Sequence, residues 1–122
     1  MTYKLSQRSL DRMKGVDDDL VRVIKRAIQL TPIDFTITEG LRTPERQKQL
    51  VADGFSQTLN SKHLIGRAVD LAALPGNKLS WEKQHYVDIS KAVKQAAKEL
   101  NVPIRWGGDF KSFFDGVHYE LM

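Results

Sequence analysis

The stretch Ser61-Lys62-His63-Leu64-Ile65-Gly66-Arg67-Ala68-Val69-Asp70, followed near the C-terminus by Asp115-Gly116-Val117-His118, brings two imidazoles and two carboxylates to a chain with three histidines and no cysteine. Two histidines and one carboxylate, with a fourth position open to water, is the ligand chemistry of a catalytic zinc site. The second carboxylate is then available as the base that uses that water. At average residue usage, five specified positions of the first block match by chance on the order of one time in ten thousand, so the block reads as a motif. A lone histidine on a strand is more often packed or solvated, and His118 draws its weight from that block. His85 has no such context and reads as structural.

Chain geometry constrains how these residues act. Fully extended, the steps from His63 to Asp70 would span about 23 Å, too far for two ligands of one ion. The chain must fold back between them, and Gly66 is the residue best able to turn it. Asp70 then lies on a strand with Ala68 on its face, leaving room beside a metal, while Val69 and Leu71 point into the core. Asp115 and His118 are three apart and would face opposite sides of one strand. Asp115 is therefore expected in the turn before the strand, with Gly116 bending the backbone, and His118 on the strand itself. An ion held by two neutral imidazoles and an aspartate would lower the pKa of its water towards about 7, and Asp115 beside that water would accept a proton and pass it to a leaving amine. Arg42, in Thr38-Glu39-Gly40-Leu41-Arg42-Thr43, lies between a strand end and a helix cap. There a guanidinium can stabilise an oxyanion or clamp a substrate carboxylate. Glu39 either orients it or sits on the surface.

The elements that position these residues are legible from periodicity. Ser6 caps a short helix through Met13, ended by Gly15. Asp17-Asp18-Asp19 opens a second helix with Leu20, Val23, Ile24, Ala27 and Ile28 buried. Ile33, Phe35 and Ile37 alternate with polar residues as a half-buried strand. Thr43-Pro44-Glu45 starts a helix that ends at Gly54. Residues 55–65 read as irregular, and Arg67 to Ala72 as a short strand. Ser80 is expected to cap a long helix from Trp81 to Leu100. It would turn Tyr86, Ile89, Val93, Ala96, Ala97 and Leu100 inward. Ile104 to Trp106 and Val117 to Leu121 complete the strands, with Gly107-Gly108 between them. The order α-α-β-α-β-α-β-β predicts an α+β fold, helices packed on a small, mainly antiparallel sheet. Loops 54–62 and 73–80 are expected to shape the pocket.

Composition sets bounds on function. A chain of 122 residues with 41% apolar and 28% charged residues is ordinary globular protein, read as one domain over 1–122. The absence of cysteine excludes disulfides, thiolate metal sites and a cysteine nucleophile. The net charge of +4 is spread along the chain and interleaved with acids, which describes a solvated surface. No basic helix stripe, aromatic platform or known motif points to nucleic acid. No apolar run suggests a signal peptide or membrane span.

The Ser-x-His-x-x-Gly-x-Ala-x-Asp block and the C-terminal Asp-x-x-His resemble the zinc D-alanyl-D-alanine carboxypeptidases and their relatives, among them the L-alanyl-D-glutamate peptidases of phage endolysins. Gly40-Leu41-Arg42-Thr43-Pro44-Glu45-Arg46-Gln47 is similar to the family's segment around its substrate-facing arginine, and Trp106-Gly107-Gly108-Asp109-Phe110 to the element before its last ligand. The likeness runs from about residue 33 to 122. It implies His63, Asp70 and His118 as ligands of one Zn2+, Asp115 as catalytic base, and Arg42 as the transition-state or carboxylate-binding group. It also implies Ser61 as a substrate contact, with Trp106 and Asp109 at the site floor. Two departures are mild: Val117 stands where many relatives have Pro, and Tyr119 where they often have Phe. The expected function is cleavage of the peptidoglycan stem peptide between L-Ala and D-Glu by a monomeric phage endolysin. It would be made in the host cytoplasm and reach the wall through a separate membrane hole. The alternatives are a D-alanyl-D-alanine carboxypeptidase or dipeptidase, and a non-catalytic zinc module that binds cell wall.

Overall fold

The computed structural model describes residues 2–56 and 61–122. Its elements are α1 (Gln7–Arg12), α2 (Asp18–Leu30), β1 (Phe35–Glu39), α3 (Pro44–Ala52), β2 (Ala68–Ala73), α4 (Lys83–Leu100), β3 (Ile104–Trp106) and β4 (His118–Leu121), with short 3₁₀ turns between some of them. The sheet order is β1-β2-β4-β3 and every neighbouring pair is antiparallel. This is the α+β arrangement expected.

The helices start and stop where side chains can satisfy their free backbone groups. Ser6 accepts from the Ser9 amide, Asp17 from Asp19 and Thr43 from Arg46, with Pro44 in the first turn of α3. The buried face of α2 is Leu20, Val23, Ile24, Ala27 and Ile28, as its periodicity requires. It packs with Tyr86, Ile89, Val93, Ala96 and Ala97 of α4 against one face of the sheet. That face carries Phe35, Ile37, Val69, Leu71, Trp106, Tyr119 and Leu121. Leu100, expected inside, is only partly buried at the margin.

Some elements differ from expectation. Ser80 does not cap α4: its amide bonds the Ala73 carbonyl and its hydroxyl meets His85 Nδ1 at 2.8 Å, so it is pinned to the end of β2. The helix begins two residues later than expected, at Lys83, after Glu82. The segment 55–65 is not irregular throughout, because Lys62–Ile65 forms a 3₁₀ turn capped by Ser61. Residues 57–60, part of one expected pocket loop, lie outside the described residues. The first strand starts at Phe35, leaving Ile33 to pack beside it, and the last at His118 instead of Val117.

Two backbone features decide what reaches the other face, opposite α2 and α4. One is Gly66, which ends the 3₁₀ turn at φ +69° and reverses the chain between His63 and Asp70. A Cβ there would stand 2.3 Å from the Gly15 carbonyl oxygen. Gly66→Ala is therefore expected to cost at least about 2 kcal/mol, from left-handed strain plus a backbone clash, read as a lowered midpoint in thermal or urea unfolding. The other is a bulge in β1. Ile37 pairs with Leu71, but Glu39 pairs with Asp70, so one extra residue sits on β1. Strict alternation would send Glu39 to the core side with Ile37; the bulge re-aims it beside Asp70.

Candidate metal centre and active site

Across β2 and β4, Asp70 pairs with His118 and Ala68 with Glu120, so these four side chains share the face opposite α2 and α4. His63 joins them from the 3₁₀ turn. Its Nε2 lies 3.2 Å from Asp70 Oδ1, and His118 Nδ1 lies 3.2 Å from the same oxygen. One ligand atom from each of the three residues falls within 4.8 Å of the others.

The outer nitrogen of each ring is already held. His63 Nδ1 donates to the Gly40 carbonyl at 2.8 Å, and His118 Nε2 to Glu120 Oε1 at 2.8 Å. With the outer nitrogens protonated, neutral rings present bare lone pairs on the inner ones, facing a carboxylate oxygen that is itself only an acceptor. Three acceptors converging on one point need a cation between them, either protons or a metal ion. Burial works against ionisation of Asp70, yet the hydrogen bonds and charges of His118 and His63 outweigh it and hold the carboxyl far below its usual range. Burial likewise opposes protonation of His118, but Asp70, Glu120 and Asp115 push its pKa above that of an ordinary imidazole.

The surrounding charges point the same way. Glu39, Asp70, Asp115 and Glu120 are four carboxylates, and the cations in short contact with them are Arg42 and Lys62. Arg46 stands at the rim, 3.8 Å from Glu39 and half exposed. With neutral imidazoles the carboxylates still outnumber these cations, an excess of negative charge that favours a bound cation. The donor set and its fixed outer hydrogen bonds fit a divalent metal ion, and the excess of carboxylates favours a cation there.

Arg42 is 8% exposed and nearly saturated. Nε and Nη2 grip Glu39 Oε1 and Oε2, both at 2.8 Å, and Nη1 donates to Gln47 Oε1 at 2.7 Å. Nη2 also lies 3.5 Å from Asp70 Oδ2. Gln47, 1% exposed, is oriented in turn by donating to Ser56 Oγ at 2.8 Å. The Arg42 amide donates to the His63 carbonyl at 2.9 Å, so residues 40–42 and His63 are clamped in both directions.

Asp115 sits in the turn before β4, outside the three-residue cluster. Its amide donates to the Gly107 carbonyl, its carbonyl accepts from His118, and Trp106 Nε1 donates to the Gly116 carbonyl at 2.8 Å. A Cβ on Gly107 would stand 2.1 Å from the Asp115 carbonyl oxygen, so Trp106-Gly107 is the seat of this turn. Burial, then the Asp70 charge, pushes the Asp115 pKa up; His118, His63 and Arg42 pull less strongly the other way.

A family model described as phage L-alanyl-D-glutamate peptidase matches residues 1–122. The chain belongs to the phage L-alanyl-D-glutamate peptidase family. An L-alanyl-D-glutamate peptidase of Escherichia phage T5 is 33% identical, with 100% of both chains covered. One from Listeria phage A118 is 30% identical over 99% of this chain, which spans 43% of that protein. Among solved structures, the L-Ala D-Glu endopeptidase ChiX of Serratia marcescens superposes with a TM-score of 0.94 at 42% identity, covering 99% of this chain and 91% of that one.

Within this peptidase scaffold, the residues singled out in sequence fall into distinct places. His63, Asp70, His118 and Arg42 come together, and Asp115 lies near enough for its charge to act on His118. Ser61 caps the turn that carries His63, its Oγ accepting from the His63 amide at 3.2 Å, and it keeps its own hydroxyl proton to donate. Trp106 is core as well as seat of the Asp115 turn, whereas Asp109 does not reach the site floor: it is solvent-exposed and paired with Lys94 at 2.7 Å.

Sequence reasoning missed Glu120, Lys62 and Gln47. Lys62 Nζ bonds Glu120 Oε2 at 3.0 Å and the Leu121 carbonyl at 2.6 Å, so it ties the His63 turn to β4. Burial raises the Glu120 pKa, but His118 and Lys62 outweigh it and the carboxyl stays below its usual value. Glu120 thereby fixes the His118 ring with Nδ1 inward. Glu120→Gln is expected to weaken divalent-metal affinity about tenfold to a hundredfold, measured by competition with a chromophoric chelator.

Proposed function

We propose that this chain is a zinc peptidase that hydrolyses the peptidoglycan stem peptide between L-Ala and D-Glu, acting as a phage endolysin. The observation that carries this reading is the convergence of His63 Nε2, His118 Nδ1 and Asp70 Oδ1, with a separate carboxylate, Asp115, in the adjoining turn. His63, Asp70 and His118 would hold the ion, which when bound supplies a Lewis acid for the scissile carbonyl and lowers the pKa of water at the site. Asp115 accepts the proton of the attacking water and returns it to the leaving amine, and its raised pKa suits it to both transfers. Arg42 places a fixed positive charge beside Asp70 and counters negative charge developing on the substrate oxygen.

The saturation of Arg42 favours an endopeptidase over a carboxypeptidase. A carboxypeptidase needs a donor pair for the terminal carboxylate of its substrate, and the Arg42 fork is already closed on Glu39. The relatives' names agree with the endopeptidase. No helix among the described residues is long and apolar enough to cross a membrane. In this reading the enzyme reaches the wall from the host cytoplasm through a separately made hole.

Mass spectrometry of fragments released from purified peptidoglycan tests this reading. Zinc-loaded protein should expose new N-terminal D-Glu, chelation by EDTA should stop it, and zinc should restore it. Release of terminal D-Ala would move the assignment to a carboxypeptidase. Binding without cleavage by zinc-loaded protein would leave a wall-binding module.

A further inference from the structure

The stem peptide carries a charge that the site described so far does not meet. A D-glutamyl residue linked onward through one carboxyl keeps its other carboxyl free and anionic. Arg42 is committed to Glu39 and Gln47, and Lys62 to Glu120 and the Leu121 carbonyl. Resting on the peptidase reading above, we propose that the groove between β3 and residues 110–113 is the subsite for that free carboxylate, with Arg105 as its counter-charge.

Three observations support this. First, the strand register pairs Arg105 with Glu120, so Arg105 emerges on the same face of the sheet as His118 and Asp70, one strand further out. Second, a cavity of about 530 Å³ opens there, lined by Arg105, Asp109, Phe110, Lys111, Ser112 and Phe113. Phe110 stands between it and the metal centre, its ring 5.8 Å from that of His118. Third, the net charge of the groove is positive. Asp109 is neutralised by Lys94, while Arg105 and Lys111 have no carboxylate within 4.0 Å among the described residues. The Arg105 guanidinium lies 5.9 Å from the Phe110 ring centre, and Phe110 meets Phe113 edge to face at 5.4 Å. These rings form an aromatic wall along one side of the cation. Among the described residues, the groove thus offers cations that no protein carboxylate has already taken.

The test uses two synthetic stem peptides that differ only in whether the second residue carries a free carboxylate or its primary amide. Zinc-loaded wild type should cleave the acid with kcat/KM about tenfold above the amide. Arg105→Gln should lose that preference through a higher KM on the acid alone, with zinc content and unfolding midpoint unchanged, and Arg105→Lys should retain part of it. A wild-type preference that persists in Arg105→Gln would overturn the assignment. So would an equal loss on both peptides, which would place an uncharged part of the substrate in the groove. Cleavage of both peptides by wild type without discrimination overturns the subsite alone. Cleavage of neither overturns the peptidase reading and the subsite with it.

Discussion

Asp115→Asn is expected to lower kcat about a thousandfold while the protein still binds its metal with full stoichiometry. The asparagine keeps the shape of the turn, because the bonds that hold it run through the backbone of residues 107, 115 and 118 and through Trp106 Nε1. It also leaves His63, Asp70 and His118 intact as a donor set. What it removes is the ability to accept a proton. In its proposed role as base Asp115 acts only when ionised, so wild-type kcat/KM should fall as the pH drops through its pKa. Burial and the neighbouring Asp70 charge set that pKa above the value of a solvated aspartate, moving the acid limb towards neutrality. A pH profile of kcat/KM with parallel metal analysis checks both parts. Loss of metal in the variant would make Asp115 a ligand instead of a base.

Arg42→Ala is expected to be the most damaging substitution for stability, with a loss of activity beside it. The guanidinium is the shared partner of Glu39, Gln47 and Asp70. Its removal leaves two poorly solvated carboxylates facing each other across the β1–β2 pairing, beside an amide that has lost its donor. Breaking a buried pair from one side costs about 3–5 kcal/mol, and the partial exposure of Glu39 places the expected loss near about 3 kcal/mol. In the proposed mechanism, loss of this charge should lower kcat by about a hundredfold or more. Arg42→Lys should recover little, because an ammonium cannot span both oxygens of Glu39 and still reach Gln47. Urea unfolding and steady-state kinetics on the variants decide it. An alanine variant of wild-type stability would mean that Glu39 and Asp70 do not depend on Arg42.

The parts of this molecule that obey short-range rules were readable in advance. The buried face of α2, the caps at Ser6, Asp17 and Thr43, and the turn at Gly66 each follow from a few neighbouring residues. So does the position of Asp115 before β4. Glu39 was not readable, because the alternation of Phe35 and Ile37 extends naturally to a core-facing residue 39, and nothing local announces the bulge that reverses it. Glu120 carried a usable signal: two residues after a strand histidine, it must share that histidine's face. Lys62 and Gln47 carried none. One reaches its partner through a contact spanning much of the chain, and the other is a polar residue buried on a helix whose apolar face is weak.

Strand β4 lies inside the sheet, paired on both sides, and its His118 comes 48 residues after Asp70. Space and synthesis therefore run in different orders. Strands β1 and β2 can pair, and His63 can approach Asp70, while β4 is still unmade; the second imidazole arrives only when that strand inserts between β2 and β3. An ion held by His63, Asp70 and His118 would then be captured on the final closure of the sheet, and its binding energy would be delivered to the whole fold instead of to one loop. Until β4 has taken its place between β2 and β3 the donor set lacks His118, so the site is completed together with the sheet.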